Sequence, residues 1–173
     1  GPYYQTLRMP RYREVADGLI KAGKAYRCDC SKERLEALRE AAMAAGAKPR
    51  YDGHCRARTQ PIPAGAPSVI RFRNPDGGSV VFEDKVRGRI EWSNDELDDL
   101  VIWRSDDYPT YNFAVVVDDI DMGITHVLRG NDLMPATDIH RLLQALLGLP
   151  TPLYRHHPLL GVASGRGLAQ RSG

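Results

Sequence analysis

Long apolar runs are missing from this sequence: the longest, such as Phe113 to Val117, stop far short of the ~20 residues that a membrane-spanning helix requires. A transmembrane helix is therefore not expected. Nor does Gly1-Pro2-Tyr3-Tyr4-Gln5 begin a basic segment followed by an apolar stretch, so nothing there reads as a secretory signal, and a cytoplasmic location is expected. Cysteine is scarce. The three residues, Cys28, Cys30 and Cys55, cannot all pair within one chain. Two of them stand one residue apart, which disfavours a disulfide framework and leaves metal ligands or free thiols. Internal repeats and low-complexity tracts are absent as well.

What is present fits an ordinary folded protein. The 173 residues, 42% hydrophobic and 27% charged, suffice for a sizeable core. A net charge of +2 conceals a bias, because Arg50, Arg56, Arg58, Arg71, Arg73, Arg87 and Arg89 crowd the middle while Glu91 to Asp99 is acidic. Such a stretch suits phosphate or a solvated mixed surface equally. Apolar positions Tyr12, Val15, Ala16, Leu19 and Ile20 predict a helix over Pro10 to Ala22, with Pro10 in the first turn and Gly23 as C-terminal cap. A second helix should start at the N-cap Ser31 and stop near Gly46. Val69 to Arg73 and Ser79 to Phe82 flank Asn74-Pro75-Asp76-Gly77-Gly78, a hairpin signal. Further strands are predicted at Arg89 to Trp92, Leu100 to Arg104, Tyr111 to Val117 and Thr125 to Leu128, the third covered on both faces as in a parallel α/β sheet. Thr137 or Asp138 should cap a helix striped by Ile139, Leu142, Leu143, Leu146 and Leu147 and closed by Gly148. The glycine-rich, basic stretch from Gly161 to Gly173 reads as a mobile loop.

Glu96-Leu97-Asp98-Asp99-Leu100-Val101-Ile102-Trp103-Arg104-Ser105, then Pro109-Thr110-Tyr111-Asn112-Phe113 through Asp118-Asp119, and Met122-Gly123-Ile124-Thr125-His126-Val127-Leu128-Arg129-Gly130 resemble bacterial glutamyl-tRNA synthetases over nearly the whole chain. From Asn131 onward, His140-Arg141-Leu142-Leu143-Gln144 and its surroundings look more like the glutamyl-queuosine enzymes, which glutamylate a modified base of an aspartate tRNA. The resemblance implies an α/β fold: a partial class I synthetase Rossmann-like core with an inserted α+β zinc-binding subdomain. Residues 1–25 would close the first half of the core, 26–105 form the inserted subdomain facing the tRNA acceptor end, and 106–173 make the second half, ending in a KMSKS-type loop. That loop reads Gly167-Leu168-Ala169-Gln170-Arg171, without the family's lysines, and the family's HIGH-type ATP signature is absent. The expectation is therefore a fragment or truncated product, a monomer, inactive by itself in activating glutamate. Three other readings stand beside it: the glutamyl-queuosine activity, an inactive RNA-binding remnant, and a zinc module without an RNA role.

The same resemblance implies site residues and partners. Zinc would take Cys28, Cys30 and Cys55, with Tyr51 as fourth ligand, although His54 is the commoner donor type. Arg129 and Tyr111 would hold glutamate, the former through a bidentate guanidinium–carboxylate pair. Arg129 could instead be ion-paired with Asp119 or Asp132, and Asp132 could be a helix cap. Asp132, His156, Leu160, Gln170 and Arg171 would lie near ATP or the tRNA terminus. Arg87 and Arg89 are the candidates for tRNA phosphates. Partners would be tRNA, glutamate, and ATP with Mg²⁺; no protein nucleophile is needed, since the work is positioning and charge stabilisation.

Overall fold

The computed structural model describes residues 3–63, 65–86, 88–148 and 151–158. After a 3-10 turn at Gln5–Leu7, helix α1 (Met9–Lys21) has Pro10 in its first turn and Gly23 at φ 69° beyond its end, as its sequence signals predict. It buries Tyr12, Ala16 and Leu19 at the spacing of one helical face. Strand β1 (Ala25–Cys28) follows, and then α2 (Lys32–Ala44), whose first turn is capped by the Ser31 hydroxyl accepting from Arg34 N–H. No residue of α2 is buried, and the described part of residues 45–68 holds neither helix nor strand. β2 (Val69–Phe72), β3 (Ser79–Asp84), β4 (Gly88–Ser93) and β5 (Val101–Trp103) complete the first part. Then come α3 (Tyr111–Asp121), β6 (His126–Gly130), a 3-10 turn (Asn131–Ala136), α4 (Thr137–Leu147) and β7 (Leu153–His157).

The strands form two sheets. One is antiparallel, in the order β1-β2-β5; the other is mixed, in the order β4-β3-β7-β6, with β3–β7 and β6–β7 parallel. α4 is the crossover between the parallel neighbours β6 and β7, as a β-α-β unit requires. One apolar core runs through Tyr12 and Leu19 of α1, Ile70 and Phe72 of β2, Ile102 and Trp103 of β5, Phe113 and Val117 of α3 and Leu143 of α4. The tyrosine–sulfur group Tyr26, Cys28 and Cys55 forms a separate small cluster.

Two expectations fail. Tyr111 to Val117 is not a strand but the start of α3. Its buried residues Phe113, Ala114, Val116 and Val117 sit at helical spacing. The pattern continues into Asp118 and Asp121, whose carboxylates pair with Arg8 on their way across to α1 at 2.6 and 2.7 Å. A five-residue apolar window cannot separate a buried strand from a buried helix; the eleven-residue length decides. The Asn74–Gly78 segment is likewise no hairpin turn, since β2 and β3 belong to different sheets. Asn74 is drawn inward instead, its amide bonding the carbonyls of Asn94 and Leu97 and its backbone N–H bonding Asp99, and the true hairpin is β3–β4. β1 and β7 had no counterpart in the sequence reading. The N-cap position of α4 is Ala136, so Thr137 is the helix's first residue and not its cap, and the side chain of Asp138 lies outside what is described.

Candidate functional site

Two constellations stand out. The first is built on β1 and the irregular segment after α2. Cys28 ends β1, Cys30 lies just beyond it, and Tyr51 and Cys55 are brought against them. Their three sulfurs all lie within 4.8 Å of one another, with Cys30 and Cys55 3.6 Å apart. The Tyr51 hydroxyl oxygen is 3.4 Å from Cys28 Sγ and 3.5 Å from Cys30 Sγ, and accepts the Cys55 backbone N–H at 2.9 Å. In a zinc tetrahedron with bonds of ~2.0–2.3 Å, sulfurs stand about 3.8 Å apart and sulfur and oxygen about 3.5 Å. The four donors therefore fit such an ion. His54 is exposed and is not among the residues of the cluster, while its backbone N–H bonds Asp52.

Positive charge surrounds these sulfurs. The Arg71 guanidinium lies 3.9 Å over the Tyr51 ring, Arg34 reaches to 3.9 Å from Cys30 Sγ, and Arg58 neutralises Asp29, which accepts from the Cys55 thiol. Three thiolates and a divalent cation carry net negative charge, so this second layer of arginines suits a loaded centre.

The second constellation is a polar network around Arg129, the last residue but one of β6. Arg129 Nε donates to His156 Nε2 at 3.1 Å, one terminal nitrogen to His140 Nδ1 at 3.2 Å, and the other to the Thr137 hydroxyl at 2.6 Å. Guanidinium only donates, so both histidine nitrogens facing it must be acceptors. The far sides agree. His156 Nδ1 donates to Asp84 Oδ2 at 2.7 Å, and His140 Nε2 donates to Asn112 Oδ1 at 3.1 Å. Arg129 also lies 5.3 Å over the Tyr154 ring. Among the described residues it forms no salt bridge, so the anticipated ion pairs with Asp119 and Asp132 are not made. Burial lowers its pKa from the ordinary arginine value, against the opposing pull of Tyr154, Tyr111, Asp119 and Asp132 nearby. Among the described residues, three of the five N–H groups of the guanidinium are engaged and no carboxylate is among its hydrogen-bond partners.

The other candidates divide by placement. Tyr111 is in the first turn of α3, its side chain 58% exposed. Asp132 is exposed in the 3-10 turn after β6 and caps nothing there. His156 is fully buried between Arg129 and Asp84. Arg89 is on the exposed β4 strand, 3.1 Å from Glu91. Arg87, Leu160, Gln170 and Arg171, and with them the Gly161–Gly173 stretch, lie outside the described residues. The sequence reading missed Asp84, Asn112, Thr137 and His140 as members of the network. A local signal exists for His140 alone, which stands one turn from Gln144 on the buried face of α4 with Leu143.

A pH dependence of stability follows from His140. Burial first, and Arg129 second, hold its pKa at about 4, well under the ordinary 6.5. Between pH 6.5 and 4 the unfolded chain binds a proton there that the folded chain refuses, so stability is intact above 6.5 and falls as pH drops, at most ~1.4 kcal/mol per unit. Urea unfolding at pH 7, 6 and 5 is expected to show this decline, and His140→Gln to flatten it. Asp29, Asp52, Asp121 and Glu91, held low chiefly by hydrogen bonds, add to the decline only at the acid end of this window and below it, where Asp119, raised by burial, acts in the opposite sense. A wild-type curve that is flat from pH 6.5 to 5 would sink the assignment.

Comparison with known proteins gives consistent results. The family of class I tRNA synthetases (E and Q), catalytic domain, matches residues 1–173. The chain is 58% identical over all 173 residues to the glutamate–tRNA ligase of Legionella pneumophila strain Corby, and 57% to that of strain Lens. It spans 37% of the length of each. A crystal structure of a glutamate tRNA ligase from Elizabethkingia meningosepticum, in complex with its amino acid, superposes with a TM-score of 0.83 at 31% identity, covering all of this chain and 38% of that one. The glutamate–tRNA synthetase of Elizabethkingia anophelis gives 0.82 at 30%, covering 99% of this chain and 37% of its own.

Proposed function

The chain belongs to the class I tRNA synthetases (E and Q), through their catalytic domain, and we propose on that premise that it is part of a cytoplasmic glutamate–tRNA ligase that activates glutamate with ATP and Mg²⁺ and transfers it to tRNA. The observation that carries this reading is the 58% identity along the whole chain to a glutamate–tRNA ligase. It favours the tRNA terminus over a queuosine base as acceptor, and an active ligase over a remnant or a bare zinc module. In this reading residues 1–25 and 106–173 belong to the nucleotide-binding core, and 26–105 form the subdomain facing the acceptor end.

Arg129 holds the carboxylate of glutamate with its spare N–H groups, and Tyr111 lies alongside on the next element. This assignment is supported by the absence of a carboxylate on Arg129 among the described residues, since a half-buried cation gains most from an anionic ligand. Asp132, exposed beside them, faces ATP or the tRNA end. Leu160, Gln170 and Arg171 are assigned to the same region by resemblance, and Arg87 and Arg89 to tRNA phosphates. Zinc is held by Cys28, Cys30, Cys55 and Tyr51 as a structural ion that clips residues 45–68 to β1. The test is glutamate-dependent pyrophosphate exchange and charging of tRNA by the full-length protein carrying this segment. Exchange with glutamate and not with glutamine is expected; no exchange with either, with or without tRNA, would refute the reading.

A further inference from the structure

We propose that His140 is a positioning residue that locks Arg129 and the Tyr111-bearing turn of α3 into one rigid amino-acid-binding unit. The inference rests on the reading that Arg129 and Tyr111 hold glutamate. The two residues come from different elements, β6 and α3; Thr110 anchors the start of α3 to the Ile102 carbonyl of β5, not to β6. The Thr110 side chain makes no capping bond at the start of α3. His140, on α4 and 2% exposed, supplies the connection.

The direction of each bond is dictated by the partners. Arg129 cannot accept, so Nδ1 of His140 must, at 3.2 Å. A neutral imidazole then carries its proton on Nε2, which donates to Asn112 at 3.1 Å, and the Asn112 amide must present its oxygen. Asn112 directly follows Tyr111 in the first turn of α3. One imidazole thus passes a hydrogen bond from the guanidinium to the helix turn that carries the tyrosine. Asp84 does the corresponding job for His156 on the other side of Arg129. The pKa of about 4 keeps His140 neutral throughout the physiological range, so the relay is not interrupted by protonation.

Such a role makes specific demands on substitutions. Leucine fills the space without either bond, whereas glutamine can accept from Arg129 through its oxygen and donate to Asn112 through its nitrogen. In the full-length protein, His140→Leu is expected to raise the KM for glutamate about tenfold or more, the scale of one lost hydrogen bond to a charged group, with the KM for ATP within about twofold. His140→Gln should restore the glutamate KM to within about threefold. Asn112→Leu, which breaks only the far bond, should give a smaller rise of the same kind, and the double variant with His140→Leu should add little. Equal damage from leucine and glutamine, or parallel rises in both KM values, would mean a merely structural role and overturn the proposal. If His140→Leu is insoluble, Asn112→Leu decides, and an unchanged glutamate KM there rejects the relay. Arg129→Ala separates the two levels. A glutamate KM raised by Arg129→Ala but untouched by both relay variants removes His140 alone, whereas indifference to Arg129→Ala removes the glutamate reading on which it rests.

Discussion

Arg129→Ala is expected to raise the glutamate concentration needed for half-maximal pyrophosphate exchange by about 10- to 100-fold while leaving that for ATP nearly unchanged. A hydrogen bond to a charged group contributes roughly 1.5–3 kcal/mol, and ~1.4 kcal/mol is tenfold. The effect should exceed that of an exposed arginine such as Arg89, whose pair with Glu91 is solvated. Arg129 is different because its hydrogen-bonding partners, Thr137, His140 and His156, are all buried and neutral. They orient the guanidinium without neutralising it. Lysine at this position should not rescue the variant, since a single ammonium cannot reach two imidazoles, a hydroxyl and a carboxylate from one stem. A thermal-shift measurement gives an independent check, because glutamate should stabilise the wild-type protein through binding to the native state and fail to stabilise Arg129→Ala. Equal glutamate dependence in variant and wild type would remove Arg129 from the site.

The partners of Arg129 illustrate what could be read in the sequence. Arg129 itself draws attention in the sequence because it falls in a long family-like motif. Its neighbours Asp84, Asn112, Thr137, His140 and His156 are drawn from four different elements, and short-range spacing carries no information about pairs 72 positions apart such as Asp84 and His156. Helices with strong end signals, Pro10 and Gly23 on α1 or Ser31 and Gly46 on α2, were legible for the opposite reason: caps and left-handed glycines act within a few residues. α3 failed because Val115, Val116 and Val117 favour a strand locally while α1 and α4 bury them as a helix. The misplaced hairpin has a similar cause. Asn74-Pro75-Asp76-Gly77-Gly78 has the composition of a turn, but the buried bonds of Asn74 to Asn94, Leu97 and Asp99 separate β2 from β3. The cysteine group was fully legible as a set of donors, and its convergence depends on a fold that the spacing alone does not disclose.

If zinc is held as proposed, its removal is expected to unfold residues 45–68 and α2 while the main core survives. The argument begins with what else holds this region. α2 has thirteen residues, none of them buried, and an isolated helix of that length is marginal in water. The segment after it is long and, where described, has neither helix nor strand, a kind of loop that persists only with a tether. Besides the group Cys28, Cys30, Tyr51 and Cys55, its attachments are side-chain contacts of arginines and single backbone bonds: Arg34–Asp52, Arg58–Asp29, Arg56 to Asp76, Asp99 and the Asn74 carbonyl, Arg73 to the Arg56 carbonyl, Arg50 to the Leu97 carbonyl and Tyr51 N–H to Asp98. Burial of Tyr26, Cys28 and Cys55 is too small a core to close such a loop, whereas a structural zinc site contributes on the order of several kcal/mol to folding. About one zinc per chain should be found by elemental analysis, with a sulfur-rich tetrahedral shell by X-ray absorption. Chelation or Cys55→Ser should lower the helical signal by roughly the length of α2 and open cleavage sites within 45–68, with α1, α3 and α4 still protected. Tyr51→Phe should keep the sulfurs but weaken zinc retention against a competing chelator; unchanged retention would take Tyr51 out of the ligand set. A metal-free preparation whose melting temperature and proteolytic pattern do not change on adding zinc would leave the three cysteines as packing residues only.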